Sequence, residues 1–443
     1  MNGKSFCFKF FYQKILLTGI LILGCLLPIE GLDLPTKSIE DDSSLRLTLR
    51  SSWFTEAPDR VLNMKPFMHT LPGGGQIQVR AEPAKDEFMV VLARERNGSY
   101  PGWAQGSWIL TRRRDNGNAS RIRVFLRSDP YTYIQFRPVA SDRCMMDIVL
   151  YDAYVVRSLP VPYSIDLLFV IPLEEALTTI GSKFPRAYFD PDPGMYRDLR
   201  TFISLVRKRL PELAFQDDGA IDEQGQYVYI NTLKTQEGSL GLNCSGFAKW
   251  VVDGLLRPFT GERLSIPPLK QAFGSRGSSF TEIYEPLRDP FFGLDWTRNL
   301  ASTARKYLLT APFGDLAEIE VQKRPFSWII LRTKEGTSIR SYPEFLLNAG
   351  FGFEGIQPLL YTLAIEEPGN IYLASINNEV GPSPRMRQHF HVAVLVPYFN
   401  EHGTFQIAVF ESAAETSFNN FKNRYPGHFV NLVRISVDPL FDP

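Results

Sequence analysis

Gly241-Leu242-Asn243-Cys244-Ser245-Gly246-Phe247-Ala248-Lys249-Trp250-Val251-Val252 reads as the opening of a helix with a cysteine in its first turn. Asn243 is a residue type that caps helix N-termini, and Phe247, Trp250 and Val251 fall at i, i+3 and i+4 on one face. A thiol at that position sees the positive end of the helix dipole, which favours thiolate over thiol and so favours a nucleophile. The small neighbours Ser245 and Gly246 leave room for a substrate carbonyl to approach. The competing reading is a small buried hydrophobe, the ordinary condition of a free cysteine. The rest of the chain decides between them.

The 443 residues carry 48 Lys+Arg against 48 Asp+Glu, so bulk attraction to a polyanion is excluded and no nucleic-acid partner is expected. Aromatic residues make up 13%, beside 32 Pro and 32 Gly, a composition of short strands and turns more than of a helical bundle. Lys4, Lys9 and Lys14 precede the apolar run from Ile15 to Leu27, which is short for a bilayer span and reads as an export signal over residues 1–31. Ile22-Leu23-Gly24-Cys25 loosely resembles a lipobox, which would leave Cys25 as a lipidated, membrane-anchored N-terminus. Simple cleavage near Gly31 and an uncleaved anchor are the alternatives. An exported chain in the periplasm or cell envelope is the expectation. Of four cysteines only Cys144 and Cys244 lie beyond this segment, too few for a disulfide framework.

Residues 32–44, with Glu40-Asp41-Asp42, read as a tether. Residues 45–162 show short alternating segments, among them Leu45 to Arg50, Gln76 to Arg80, Glu87 to Ala93, Ser107 to Thr111 and Asp147 to Val156, with Asp115-Asn116-Gly117-Asn118 as a hairpin signal. They predict an all-β sandwich or barrel. Arg112-Arg113-Arg114 beside that turn reads as a solvated edge, and Trp103 and Trp108 as either sugar-stacking or core residues. Residues 163–256 hold a helix from Met195 to Leu213, Asp217-Asp218-Gly219, a strand at Tyr227 to Ile230 and the cysteine helix. Residues 257–367 read as an insertion or subdomain with helical patterns at Asp295 to Leu308, Tyr342 to Ala349 and Ile356 to Ile365 around a strand from Ser327 to Leu331. Strands at Asn370 to Ser375, His391 to Val396, Thr404 to Glu411 and Phe429 to Val437 finish the chain, over residues 368–443.

A thiolate nucleophile needs a base within hydrogen-bond reach, and the base works best when a third group fixes its tautomer. His391 opens a strand, and the hairpin turning near Asn400 to Gly403 brings it roughly opposite Glu411 or Ser412. Glu411 is therefore placed to orient the imidazole. His389, two residues earlier, would share the face of His391, and such a pair with Glu411 is a conceivable metal set. No further Cys or His group stands at ligand spacing, so no metal and no cofactor are expected. His402 at the hairpin tip and His428 in a Pro-Gly turn read as solvated, and His69 as structural.

In this order the motifs resemble those of the NlpC-type cysteine peptidases, papain-like hydrolases of bacterial cell-wall peptides. Asn243-Cys244-Ser245-Gly246-Phe247 resembles their Asp-Cys-Ser-Gly-Phe nucleophile motif, and Tyr227-Val228-Tyr229 their Tyr-x-Tyr/Trp segment, whose first tyrosine lines the site. Pro368-Gly369-Asn370-Ile371 is similar to Pro-Gly-Asp-Leu, and His391-Val392-Ala393-Val394 to the His-Val-Gly-Ile strand. The likeness covers about residues 195–437, interrupted by 257–367. It implies an α+β papain-like domain with an antiparallel sheet, in which Cys244, His391 and Glu411 are catalytic and Tyr227, Ser245 and Asn243 meet a peptidoglycan stem peptide. Asn243 and Asn370 stand where the family has aspartates, Ile230-Asn231 where it has two glycines, and Glu411 where it commonly has a histidine. These departures motivate the alternative of an inactive envelope binding protein that keeps the fold. Oligomeric state is not legible.

Overall fold

Two antiparallel sheets carry the computed structural model, which describes residues 33–274, 289–309, 315–334, 336–381 and 385–443. The stretch read as an export signal, with Cys7 and Cys25, and residues 275–288 of the stretch read as an insertion lie outside the described residues. No helix among the described residues is long and apolar enough to cross a membrane.

The first sheet is an up-and-down run of strands β1 to β8 (Phe67–Thr70, Gln76–Pro83, Glu87–Arg94, Trp108–Arg113, Ala119–Val124, Tyr133–Pro138, Cys144–Leu150 and Ala153–Val161). Period-2 alternation builds it: Ile77 and Val79 of β2 and Phe88, Val90 and Leu92 of β3 all point into one core. The turn at Asp115 to Asn118 forms as expected, with Gly117 at φ 73°. Next comes a small hairpin of β9 (Gly219–Ile221) and β10 (Tyr227–Tyr229). The chain then returns to the first sheet with β11 (Trp328–Thr333) and β12 (Gly336–Ser341), which extend it past β8 to ten strands. The expected sandwich or barrel is thus an open meander with β1 and β12 at its ends.

The second sheet has the order β13-β18-β14-β15-β16-β17, from Phe351–Gly352 (β13), Asn370–Val380 (β14), Met386–Phe399 (β15), Phe405–Glu411 (β16), Ala414–Thr416 (β17) and Phe429–Ser436 (β18). Its central strands are buried on both faces and read as near-continuous apolar runs. On one face lie the cysteine helix Cys244–Thr260 and the helix Phe292–Leu308, whose Trp296 and Leu300 share a core with Leu373, Val394 and Val433. On the other lie Ile356–Glu366 and Phe418–Arg424, with Leu359, Leu360 and Phe421 against Tyr372, Ala393 and Leu395.

Several local expectations are corrected. Leu45 to Arg50 is helical, Leu45 to Leu49 within the helix Ser43–Leu49 and Arg50 opening the π-helical turn Arg50–Phe54: Asp42 caps the helix through the Leu45 amide at 2.8 Å, and Leu45 and Leu49, one turn apart, are buried while Leu47 is exposed. Tyr342 to Ala349 is irregular instead of helical, with a turn at 347–349 closed by the Leu346–Gly350 bridge, and Tyr342 is buried with its hydroxyl on the Gly352 carbonyl at 2.8 Å. Arg112 is not solvated: it is buried and donates to the carbonyls of Trp53, Glu56 and Gly117 at 3.0, 2.7 and 2.8 Å, leaving only Arg113 and Arg114 exposed. The acidic stretch read as a tether is folded in, with Asp41 pairing to buried Arg46 and accepting from the Leu173 amide. Chain and core both interlock, so the described residues from 33 onward form one compact unit.

Candidate active site

Cys244 is the first residue of its helix, and the cap foreseen at Asn243 is made: its side-chain oxygen accepts from the Gly246 amide at 2.8 Å. The start of the helix is pressed onto β9. The Asn243 amide donates to the Gly219 carbonyl at 3.0 Å, and a Cβ added at Gly246 would stand 2.0 Å from that same oxygen. Gly246 is therefore required by close approach. From the far side the indole N–H of Trp296 donates to the Ser245 carbonyl at 2.9 Å. Ser245 is buried, its hydroxyl 4.0 Å from the Cys244 sulfur.

His391 lies within β15, which starts at Met386, five residues before the strand expected from sequence. Ladder pairing to β14 slips here: Ile376 faces His391 but Asn377 faces His389, so Phe390 is the extra residue of a bulge. The bulge separates the two histidines. His389 is buried, with Nδ1 on the Ser375 hydroxyl at 2.8 Å and Nε2 on the Asn348 carbonyl at 3.0 Å. Both its ring nitrogens are taken, and burial pushes its pKa down to about 3. His389 and His391 are thus set opposite adjacent residues of β14 instead of on one strand face, although both border the same cavity, and no group of three or more His, Cys, Asp or Glu among the described residues is placed to hold a metal. His69 bonds Asp42 at 2.7 Å, and His402 is exposed at the hairpin tip.

Glu411 ends β16, and its Oε2 lies 2.7 Å from His391 Nε2. The β15–β16 register, Val394 facing Phe410 and Pro397 facing Ile407, makes this a diagonal pair across the open end of the ladder. Ser412 and Ala413, both at positive φ (48° and 66°), turn the chain directly after it into β17. Two consecutive left-handed residues make the tight turn that suits strand twist, here without the usual Asn-Gly. Arg424 pairs with the other carboxylate oxygen, Oε1. The Tyr425 ring stacks on the imidazole at 6.0 Å and 29°.

The electrostatics favour an ion pair. Burial opposes charge on Cys244, but hydrogen bonds from His391 and from the Val392 amide, with the imidazolium charge, outweigh it and hold the thiol below its ordinary value. Burial likewise opposes charge on His391, and the bonds to Cys244 and Glu411 overcome it, pushing the imidazole up to about 9. Glu411 is held below the usual carboxylate range despite its burial, by His391 and Arg424. Cys144 is the contrast: buried and free, its thiol is pushed up to about 12 by desolvation alone. Cys244 is also free, so its sulfur is not tied up in a disulfide.

Cys244 and His391 line an open cavity of about 630 Å³ together with Asn243, Ser245 and Ser412. Asp217, Asp218 and Lys270 add charge to its wall, and Phe215 and Phe390, both exposed, add apolar surface. Tyr227 does not line it. The strand β10 packs Tyr227 against the core, and Asn231, just beyond that strand, reaches the cavity instead. Sequence reasoning missed Arg424, Tyr425, the Val392 amide and the bulge residue Phe390. Arg424 lies 13 residues beyond Glu411 with no local motif between them, and a bulge has no signature in a strand that is apolar throughout.

Among known families, one described as Domain of unknown function (DUF8515) matches residues 35–188, strands β1 to β8 of the first sheet with the helices before and after them, and so none of the residues of this cavity. No curated protein and no solved structure matches the chain.

Proposed function

We propose that the chain is an exported cysteine hydrolase that cleaves an amide bond, with the peptide stem of peptidoglycan as the substrate class implied by the likeness to NlpC-type, papain-like peptidases. The observation that carries the reading is that Cys244 and His391, coupled by a hydrogen bond, line one open cavity, with the buried Glu411 carboxylate behind the imidazole at 2.7 Å. The thiolate attacks the carbonyl carbon, and the developing oxyanion is met by the Cys244 amide, which as a first-turn N–H has no partner inside the helix. The imidazolium of His391 gives its proton to the departing amine. Water then attacks the thioester while His391 takes its proton, and the carboxylic acid leaves as the thiolate returns. Glu411 holds Nε2, leaving Nδ1 to face the sulfur. Of the departures from the family, Asn243 caps the helix as an aspartate would, and Glu411 is an ordinary orienter of an imidazole.

The test is mass-spectrometric assay of purified stem peptides with the wild-type chain and with Cys244→Ala. Hydrolysis is expected from the wild type and a fall of at least about three orders of magnitude in the variant. Equal turnover by the two would end the reading. Stem peptides bound but left intact by the wild type would identify an envelope binding protein instead.

A further inference from the structure

The Glu411 carboxylate is shared: Oε2 meets His391 Nε2 at 2.7 Å, and Oε1 meets the guanidinium of Arg424. We propose that Arg424 is a positioning residue for the Cys244–His391 pair, fixing the rotamer of Glu411 so that its free oxygen, and through it the imidazole, stays aimed at the sulfur. The inference rests on the hydrolase reading.

The guanidinium is itself seated. It lies 5.7 Å over the Phe421 ring and 5.4 Å over that of Tyr425, at the end of the helix Phe418–Arg424, while Tyr425 stacks on His391. The last residue of one short helix and its C-cap therefore support both members of the His391–Glu411 couple, Arg424 by charge and Tyr425 by ring contact. The groups facing the carboxylate are His391 from β15 and Arg424 from this helix, with Tyr425 and Cys244 across the imidazole. Glu415, on the same hairpin, is taken up by Arg207 at 2.7 Å.

Without Arg424 the carboxylate keeps its burial and loses one of two cations, so it takes up a proton at higher pH. Once neutral it no longer supports the charge on His391, and the thiolate is lost with it. The alkylation rate of Cys244 by iodoacetamide, followed by peptide mass across pH 4 to 10, reads this directly and needs no substrate. Buried Cys144, unlabelled, reports that the fold is intact. In Arg424→Gln the acid limb of the profile is expected to move up by about one pH unit, the lower end of what a neighbouring opposite charge does, because the guanidinium is half-exposed. Arg424→Lys should restore part of it, and in a Glu411→Gln background Arg424→Gln should add nothing.

An unmoved limb in Arg424→Gln, or the same shift with Glu411 already removed, overturns the positioning role while leaving the hydrolase reading intact. A wild-type Cys244 that alkylates with the pH dependence of an ordinary thiol overturns both.

Discussion

At the scale of residues, His391 divides its two nitrogens between an acid and a sulfur, and this sets the pH behaviour. The ion pair exists from the depressed pKa of Cys244 up to the raised pKa of His391, about 9. As pH falls through the lower limit the thiolate takes a proton, and both alkylation and the proposed hydrolysis should decline. As pH rises through about 9 the imidazolium loses its proton, the thiolate persists, and the leaving amine has no donor. Amide hydrolysis should therefore drop above about pH 9 while alkylation of Cys244 does not, as parallel profiles of the two rates will show. Hydrolysis that kept rising to pH 10.5 would remove His391 as the acid.

At the scale of elements, the nucleophile depends on how closely its helix meets β9. The Gly246 Cα lies so near the Gly219 carbonyl that a single methyl must displace the first turn, and Cys244 sits in that turn. Gly246→Ala is expected to destabilise the fold by about 1–3 kcal/mol, as overpacking does, and to lower turnover by about two orders of magnitude through misplacement of the sulfur. Denaturant unfolding and the amide assay check the two effects separately. Activity close to wild type in a folded variant would show that the helix start is free to shift. The β15–β16–β17 hairpins supply the other half of the site, and there the bulge at Phe390 sets His391 and His389 opposite adjacent residues of β14, Ile376 and Asn377.

At the scale of the molecule, the site belongs to one body with the first sheet. Strands β11 and β12, in the middle of the stretch read as an insertion, complete that sheet, and Arg332 of β11 clasps Asp152 at 2.7 and 2.8 Å. The N-terminal segment reaches the other way: Thr36 donates twice to Asp190 at 2.6 Å, and Arg46 donates to the carbonyls of Phe169 and Ile171. The start of the region matched at 35–188 is thus tied to the segment that follows β8, at Phe169, Ile171 and, just past the match, Asp190. Residues 163–443 expressed alone should leave the β11–β12 hairpin without its β8 neighbour and part of the shared core in water. Near-ultraviolet circular dichroism and limited proteolysis are expected to show a chain without fixed tertiary packing; cooperative unfolding of that fragment would contradict it.

Local and short-range pattern alone determined the cysteine helix and its cap, the strands that alternate or run apolar, the hairpin after Phe399, and the meeting of His391 with Glu411 across it. Each of these is set by neighbours within about twenty residues, where periodicity and turn chemistry act directly. Tertiary structure decided the rest. It brought Cys244 to a histidine 147 positions later in the chain, gave Glu411 its arginine, parted His389 from His391 by a bulge, buried Arg112 among carbonyls, and returned β11 to the first sheet. Those outcomes depend on which buried charge finds a partner and which sheet edge finds a strand, and both are settled only when distant segments compete for the same core.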